Sequence, residues 1–198
     1  MRKTIGILLF TLMIPLAARG QAVTNVEKVY SLIDNSAAQL LKDKVQKESR
    51  VYIDYNSSPA LAILKNPLIE KAGAYCTVNQ QKENAGYILN YTVEDAGVKY
   101  GETFTKSFLG TNYVEREVYL KGFAGLNPAG GGASTAHFEY TSKDTVEYGK
   151  LKELAGASLP FANPEIPAEP FFSSILEPVI AIGAAITTIY LLFTVRSK

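Results

Sequence analysis

The chain has 198 residues, 47% of them hydrophobic, a formal net charge of +1, one cysteine and one histidine. A lone histidine excludes a histidine cluster for a metal or a proton relay, and a lone cysteine excludes an intrachain disulfide. Of the 20 Lys and Arg, five lie outside residues 23–170, and of the 19 Asp and Glu one does, leaving 15 basic against 18 acidic residues and a charge near −3. A weakly acidic body of this kind has no electrostatic reason to hold nucleic acid or an anionic lipid surface.

Thr4 to Leu16 is an apolar run that follows Arg2 and Lys3 and leads into small residues near Gly20 and Ala22. This is the order of a secretory signal peptide, expected over 1–22. Thr24 and Glu27 have capping-box spacing, and Val26, Val29, Ile33, Ala37, Leu40, Leu41 and Val45 recur at helical intervals, which predicts a helix over 25–47. Arg50 to Tyr55 alternates as a strand. Ser58-Pro59 then starts a second helix that stops at Gly73 and is kinked or split by Pro67 near Asn66.

Beyond Gly73 the period changes to two, with strands expected over 74–78, 86–94, 98–105, 113–125 and 136–141. Glu94-Asp95-Ala96-Gly97 reads as a hairpin turn and Asn127 to Gly132 as a looser one. The expected fold is α+β, with two helices packed on one face of a mostly antiparallel sheet, over 23–149. Pro160, Pro164, Pro167 and Pro170 suggest a stiff linker over 150–170. From Pro178 to Val195 no charge occurs, so a transmembrane helix is expected over 171–195, with Arg196-Ser197-Lys198 as a cytoplasmic end. These features together predict a single-pass membrane protein of the bacterial inner membrane, with a periplasmic domain and a lipid contact through its C-terminal helix.

Catalytic signals are few. His137 could serve a hydrolase with Ser134 or Glu139, but no elbow motif surrounds Ser134. The glycine tract at 130–132 lacks the lysine and hydroxyl of a phosphate loop. Cys76 reads as a small strand hydrophobe. No catalytic residue, metal or cofactor is expected. Arg116 falls on the apolar parity of its strand with Val114 and Val118. It either reaches solvent near a strand end, pairs with a buried carboxylate such as Asp54 or Glu94, or anchors an interface. Tyr113, Tyr119 and Phe123 share the opposite parity with Glu115 and Lys121. Such aromatics either form a sheet-stabilising ladder or meet a protein partner. Tyr113, Arg116, Tyr119 and Phe123 are therefore the candidate partner-binding residues.

The order of a helix, Arg50-Val51-Tyr52-Ile53-Asp54-Tyr55, a helix over Ala60–Lys71, Gly73 and Ala74-Tyr75-Cys76-Thr77-Val78, with Ala85-Gly86-Tyr87-Ile88-Leu89-Asn90 after it, resembles periplasmic α/β domains of the FlgO and curli-secretion type over residues 25–125. The chain departs from them by lacking a lipid-attachment cysteine after the signal run and by its C-terminal apolar run. The resemblance implies a non-catalytic part in a cell-envelope assembly, with an envelope protein or a second copy as partner. The other reading is a ligand-sensing domain with a small-molecule pocket between helices and sheet.

Overall fold

Thr24 opens the first helix as its spacing requires. The Glu27 amide donates to Thr24 Oγ1 (3.2 Å) and the Thr24 amide donates to Glu27 Oε2 (2.7 Å). The Thr24 amide, and then the Thr24 hydroxyl donating to Glu27 Oε2 (2.9 Å), hold the Glu27 carboxyl below the usual carboxylate range. This computed structural model describes residues 23–107, 110–156, 158–169 and 171–195, with side chains of the last stretch over 179–194. The signal peptide expected over 1–22 and the end at 196–198 lie outside the described residues.

Helix α1 (Asn25–Leu41) is shorter than its apolar spacing suggests. Asp43 takes a φ of +64°, which ends the helix, and Val45 reaches the core from the turn that follows. Strand β1 (Arg50–Ser57) leads to a 3-10 turn, Pro59–Leu64, and then to α2 (Lys65–Ala72). The split expected near Asn66 falls just before Lys65, where Pro67 sits in the first turn of α2 and needs no amide partner. Gly73 caps α2 at φ −59°, so the stop does not use the left-handed freedom of glycine.

Strands β2 (Thr77–Asn79), β3 (Tyr87–Thr105), β4 (Asn112–Pro128) and β5 (Ala136–Glu147) complete a five-stranded sheet in the order β2-β1-β3-β4-β5. β1 is parallel to both β2 and β3, while β3-β4 and β4-β5 are antiparallel, so the sheet is mixed where a mostly antiparallel one was expected. Parallel neighbours need a crossover, and the Pro59–Ala72 segment supplies it between β1 and β2.

The hairpin expected at Glu94–Gly97 is not a turn. β3 runs straight through it, with register shifts between Val93 and Asp95 and between Tyr100 and Thr103. Two glycines explain the passage. A Cβ on Gly122 would lie 1.9 Å from the Thr92 carbonyl oxygen, so only glycine lets β4 approach the first bulge. A Cβ on Gly97 would lie 2.7 Å from the Tyr119 hydroxyl, so Gly97 makes room for a ring.

One apolar core joins Val29, Ile33, Ala37 and Leu41 of α1 to Leu64, Leu68 and Ala72, and to inward residues of β1, β3 and β4 such as Val51, Leu89, Val118 and Leu120. Each fully buried Val, Leu or Ile side chain here contributes about 1.5–3 kcal/mol. Tyr91 lies in the same core, stacked on Tyr55 at 6.3 Å and tilted against Phe138 at 5.2 Å. Its hydroxyl bonds Ser36 Oγ at 2.6 Å, and burial pushes its pKa far above the ordinary tyrosine value. Both helices thus cover one face of the sheet, as expected.

The stretch expected as a free spacer does not hang free. After β5 the chain makes a 3-10 turn (Tyr148–Lys150) and a short helix, α3 (Leu151–Leu154), whose two leucines are buried with Val114 and Val146. A further turn at Pro160–Ala162 buries Ala162, and Pro167 and Ala168 accept hydrogen bonds from Tyr148 and Thr103. Prolines stiffen this stretch while leucines dock it, and local composition could not show where the leucines would land.

Helix α4 (Phe171–Val195) forms, but the expected transmembrane span is corrected. Among the described residues, no helix is long and apolar enough to cross a membrane. The single-pass inner-membrane location, with its cytoplasmic C-terminus and lipid contact, falls with that span.

Candidate functional site

Strand β4 carries all four candidate residues, and the pleat separates them. Arg116 points into the domain, whereas Tyr113, Tyr119 and Phe123 point to the face that no described helix covers. The four therefore do not make one surface.

Arg116 is 1% exposed, so the solvent-reaching alternative is wrong, and its partner is neither Asp54 nor Glu94. Arg116 Nε donates to Asp144 Oδ1 (2.8 Å) and Nη2 to Asp144 Oδ2 (2.7 Å), the bidentate fork that suits a carboxylate. Nη1 donates to the Val23 carbonyl (2.8 Å) and to Asn25 Oδ1 (3.1 Å). Asn25 Nδ2 in turn donates to the Tyr100 hydroxyl (2.9 Å) and the Ala162 carbonyl (3.0 Å). Arg116 hydrogen bonds, and secondarily Lys28, hold the Asp144 carboxyl below the usual range. This cluster ties the start of α1, β3, β4, β5 and the Pro160–Ala162 turn together. It is a structural clamp. Asp144 faces Arg116 across the β4-β5 register, but expecting the strand to end at Thr141 left it out of view.

The outer face has a regular order. Lys121 pairs with Glu139 (2.9 Å), and Lys143 pairs with Glu117 (2.9 Å) and Glu115 (3.3 Å). Between these rows the Tyr119 ring lies over Gly97, with Lys99 Nζ 4.9 Å and Lys121 Nζ 5.8 Å from its centroid. Burial, and then Asp95, raise the Tyr119 hydroxyl pKa. At one end Phe123, 39% exposed, meets the edge of His137 at 5.3 Å. At the other end Tyr113 lies 6.2 Å from Phe104, itself 40% exposed, with Lys106 Nζ 4.5 Å above its ring. Three aromatic points thus span about 33 Å of β4 on an uncovered face, interleaved with charge pairs. Phe104 and His137 belong to this face but were not among the candidate partner-binding residues. Only the strand pairing shows that they neighbour Tyr113 and Phe123.

Other candidates for chemistry lie apart. His137 packs on Phe123, no hydrogen bond joins it to Ser134, and the Ser134 amide donates to Asn127 Oδ1 (2.9 Å) to shape the β4-β5 loop. Cys76 is buried, donates to the Ala72 carbonyl, and has its thiol pKa raised by that burial. Among the described residues, no group of three His, Cys, Asp or Glu could hold a metal ion. A groove of about 550 Å³ lies between α1 and the Pro59–Ala72 segment, with Glu27, Asp34, Glu70 and Lys71 on its walls and no sheet residue. It is not the pocket between helices and sheet that the ligand-sensing reading needs. Along α4, Val179, Ile182, Ile186, Leu191 and Phe193 are each more than half exposed.

No family model matches the chain, and no curated protein matches it. Among solved structures it is similar to the solution NMR structure of an uncharacterized lipoprotein B from Nitrosomonas europaea, at 13% identity and a TM-score of 0.34 over 75% of this chain and 90% of that one. It is also similar to the crystal structure of the rare lipoprotein B from Shewanella oneidensis, at 8% identity and a TM-score of 0.28 over 74% and 93% of the two chains. These neighbours are lipoproteins, and the FlgO and curli-secretion resemblance is not confirmed by them. At such TM-scores the likeness carries no argument about function.

Proposed function

We propose that the chain is a non-catalytic, protein-binding accessory of a cell-envelope assembly, and that the outer face of β3-β4-β5 is its contact surface. The observation that supports this reading most directly is the uncovered outer face itself. Every described helix that packs on the sheet does so on the inner face, and the outer one displays Phe104, Tyr113, Tyr119 and Phe123 among ordered charge pairs. Large rings held rigid on a sheet supply contact area at small entropic cost, and the pairs around them set orientation. Arg116 leaves the set, because its donors are used inside the domain.

A photoreactive amino acid placed at Tyr119 or Phe123 in intact cells tests the reading. One adduct of defined mass with a different protein is expected from both positions, and none from the exposed Lys42 on the helix side. Absence of an adduct at both positions, or the same adduct from Lys42, would overturn it.

A further inference from the structure

The two edges of the sheet differ. β2 offers only three residues, a length too short to template another strand. β5 offers twelve, pairs with β4 without a register shift, and contains neither proline nor glycine. Lys143, the residue type that usually blunts such an edge, is held on the outer face by Glu115 and Glu117. Among the described residues, no backbone hydrogen bond from another element reaches 136–147 apart from the β4 ladder.

The charges on this edge are complementary to themselves. The ladder sets Asp95 beside Lys121 and Lys121 beside Glu139, an acid-base-acid row. Four residues away it sets Lys99 beside Glu117 and Glu117 beside Lys143, a base-acid-base row. Thr141 lies midway between them. We propose that β5 pairs antiparallel with β5 of a second copy of this chain about a two-fold axis at Thr141, making one continuous ten-stranded sheet. In that register Glu139 faces Lys143 of the second copy, and each acidic row runs into a basic one with unbroken alternation across six strands. Sliding by two residues leaves both charges opposite neutral or weaker partners. Sliding by four sets Glu139 or Lys143 against its own copy, which is repulsive.

Space permits the pairing. α1 sits mainly over β4, with Lys28 and Gln39 reaching Asp144 and Tyr140 on β5. The two β4 strands would be about 14 Å apart, three steps of roughly 4.8 Å, which exceeds the 8–10 Å of packed helices. The pairing would also double the outer aromatic face, but it does not depend on that face having another partner.

Cysteine crosslinking of the full-length protein in mild detergent tests it, with the native Cys76 buried. Directly opposed residues have Cα atoms about 4.5–5.5 Å apart, within disulfide reach. Thr141→Cys should therefore oxidise to a covalent dimer. Glu139→Cys and Lys143→Cys should each give no covalent dimer alone, because a four-residue offset is about 13 Å. Mixed together, they should crosslink. A Thr141→Cys protein that gives no covalent dimer overturns the proposal, as does a Glu139→Cys protein that crosslinks equally well alone. Independently, Thr141→Lys puts like charges at the axis and should weaken self-association in sedimentation by roughly fivefold at low salt, with unfolding unchanged. Wild-type protein that sediments as a monomer at every concentration overturns it as well.

Discussion

Replacing Asp144 by alanine removes both acceptors from a guanidinium that has no access to water. Arg116 would keep its bonds to Val23 and Asn25 and lose the two to the carboxylate, together with the countercharge. Breaking a buried pair from one side costs about 3–5 kcal/mol, because the remaining charge stays desolvated. The Asp144 side chain is 30% exposed, so water already weakens the pair, and the low end, about 3 kcal/mol, applies. For a domain of this size that is roughly a 6–12 °C fall in Tm. Urea unfolding of the full-length protein followed by tyrosine fluorescence is the assay. Lys28→Ala, which removes only the more exposed partner at 2.9 Å, should cost about 0.5 kcal/mol. The pH dependence supplies a second reading. The Asp144 carboxyl is lowered in the folded state, so its stabilisation is complete above the unfolded value near 4 and is lost as pH falls through the lower folded value. The gap between wild type and Asp144→Ala should therefore close in strong acid. An Asp144→Ala protein no weaker than Lys28→Ala, or a gap that is equal at pH 7 and pH 2, would refute the reasoning.

Gly122→Ala should be strongly destabilising, by about 3 kcal/mol or more in urea unfolding, since its Cβ would meet backbone at 1.9 Å. Gly132→Ala, where nothing lies within 4 Å, should stay within about 0.5 kcal/mol of wild type. Tyr91→Phe should cost about 1 kcal/mol by leaving the buried Ser36 hydroxyl with only the Ile33 carbonyl. Cys76 should resist a thiol reagent in the folded protein and react at the rate of unfolding, because both burial and a raised pKa withhold the thiolate. Rapid labelling under native conditions would contradict its position.

Periodicity placed the elements and left their neighbours unassigned. The α1 capping box, the alternation of β1 and the break one turn ahead of Pro67 are local features, and each is present in the structure. The parallel pairing of β1 with β3 is a long-range choice that no local pattern encodes. Gly97 looked like turn chemistry because glycine is common in turns. Its requirement comes from Tyr119, a residue 22 positions away that lies beside it only after β3 and β4 pair. The aromatic parity of Tyr119 and Phe123 was legible, but the uncovered state of their face depends on where every helix packs.

Composition by itself determined that no histidine cluster and no intrachain disulfide are possible, since each needs more than one residue of its type. The alternation along 114–118 also showed Arg116 on an apolar parity, which posed the question of a partner. Tertiary structure alone decided that the partner is Asp144 and that Leu151 and Leu154 dock against the sheet. It also decided that, among the described residues, β5 ends the sheet with an unpaired edge. The physical reason is the range of the interactions. Capping and periodicity act within a few residues, whereas a buried charge, a close backbone approach and a sheet edge are defined by segments that folding brings together.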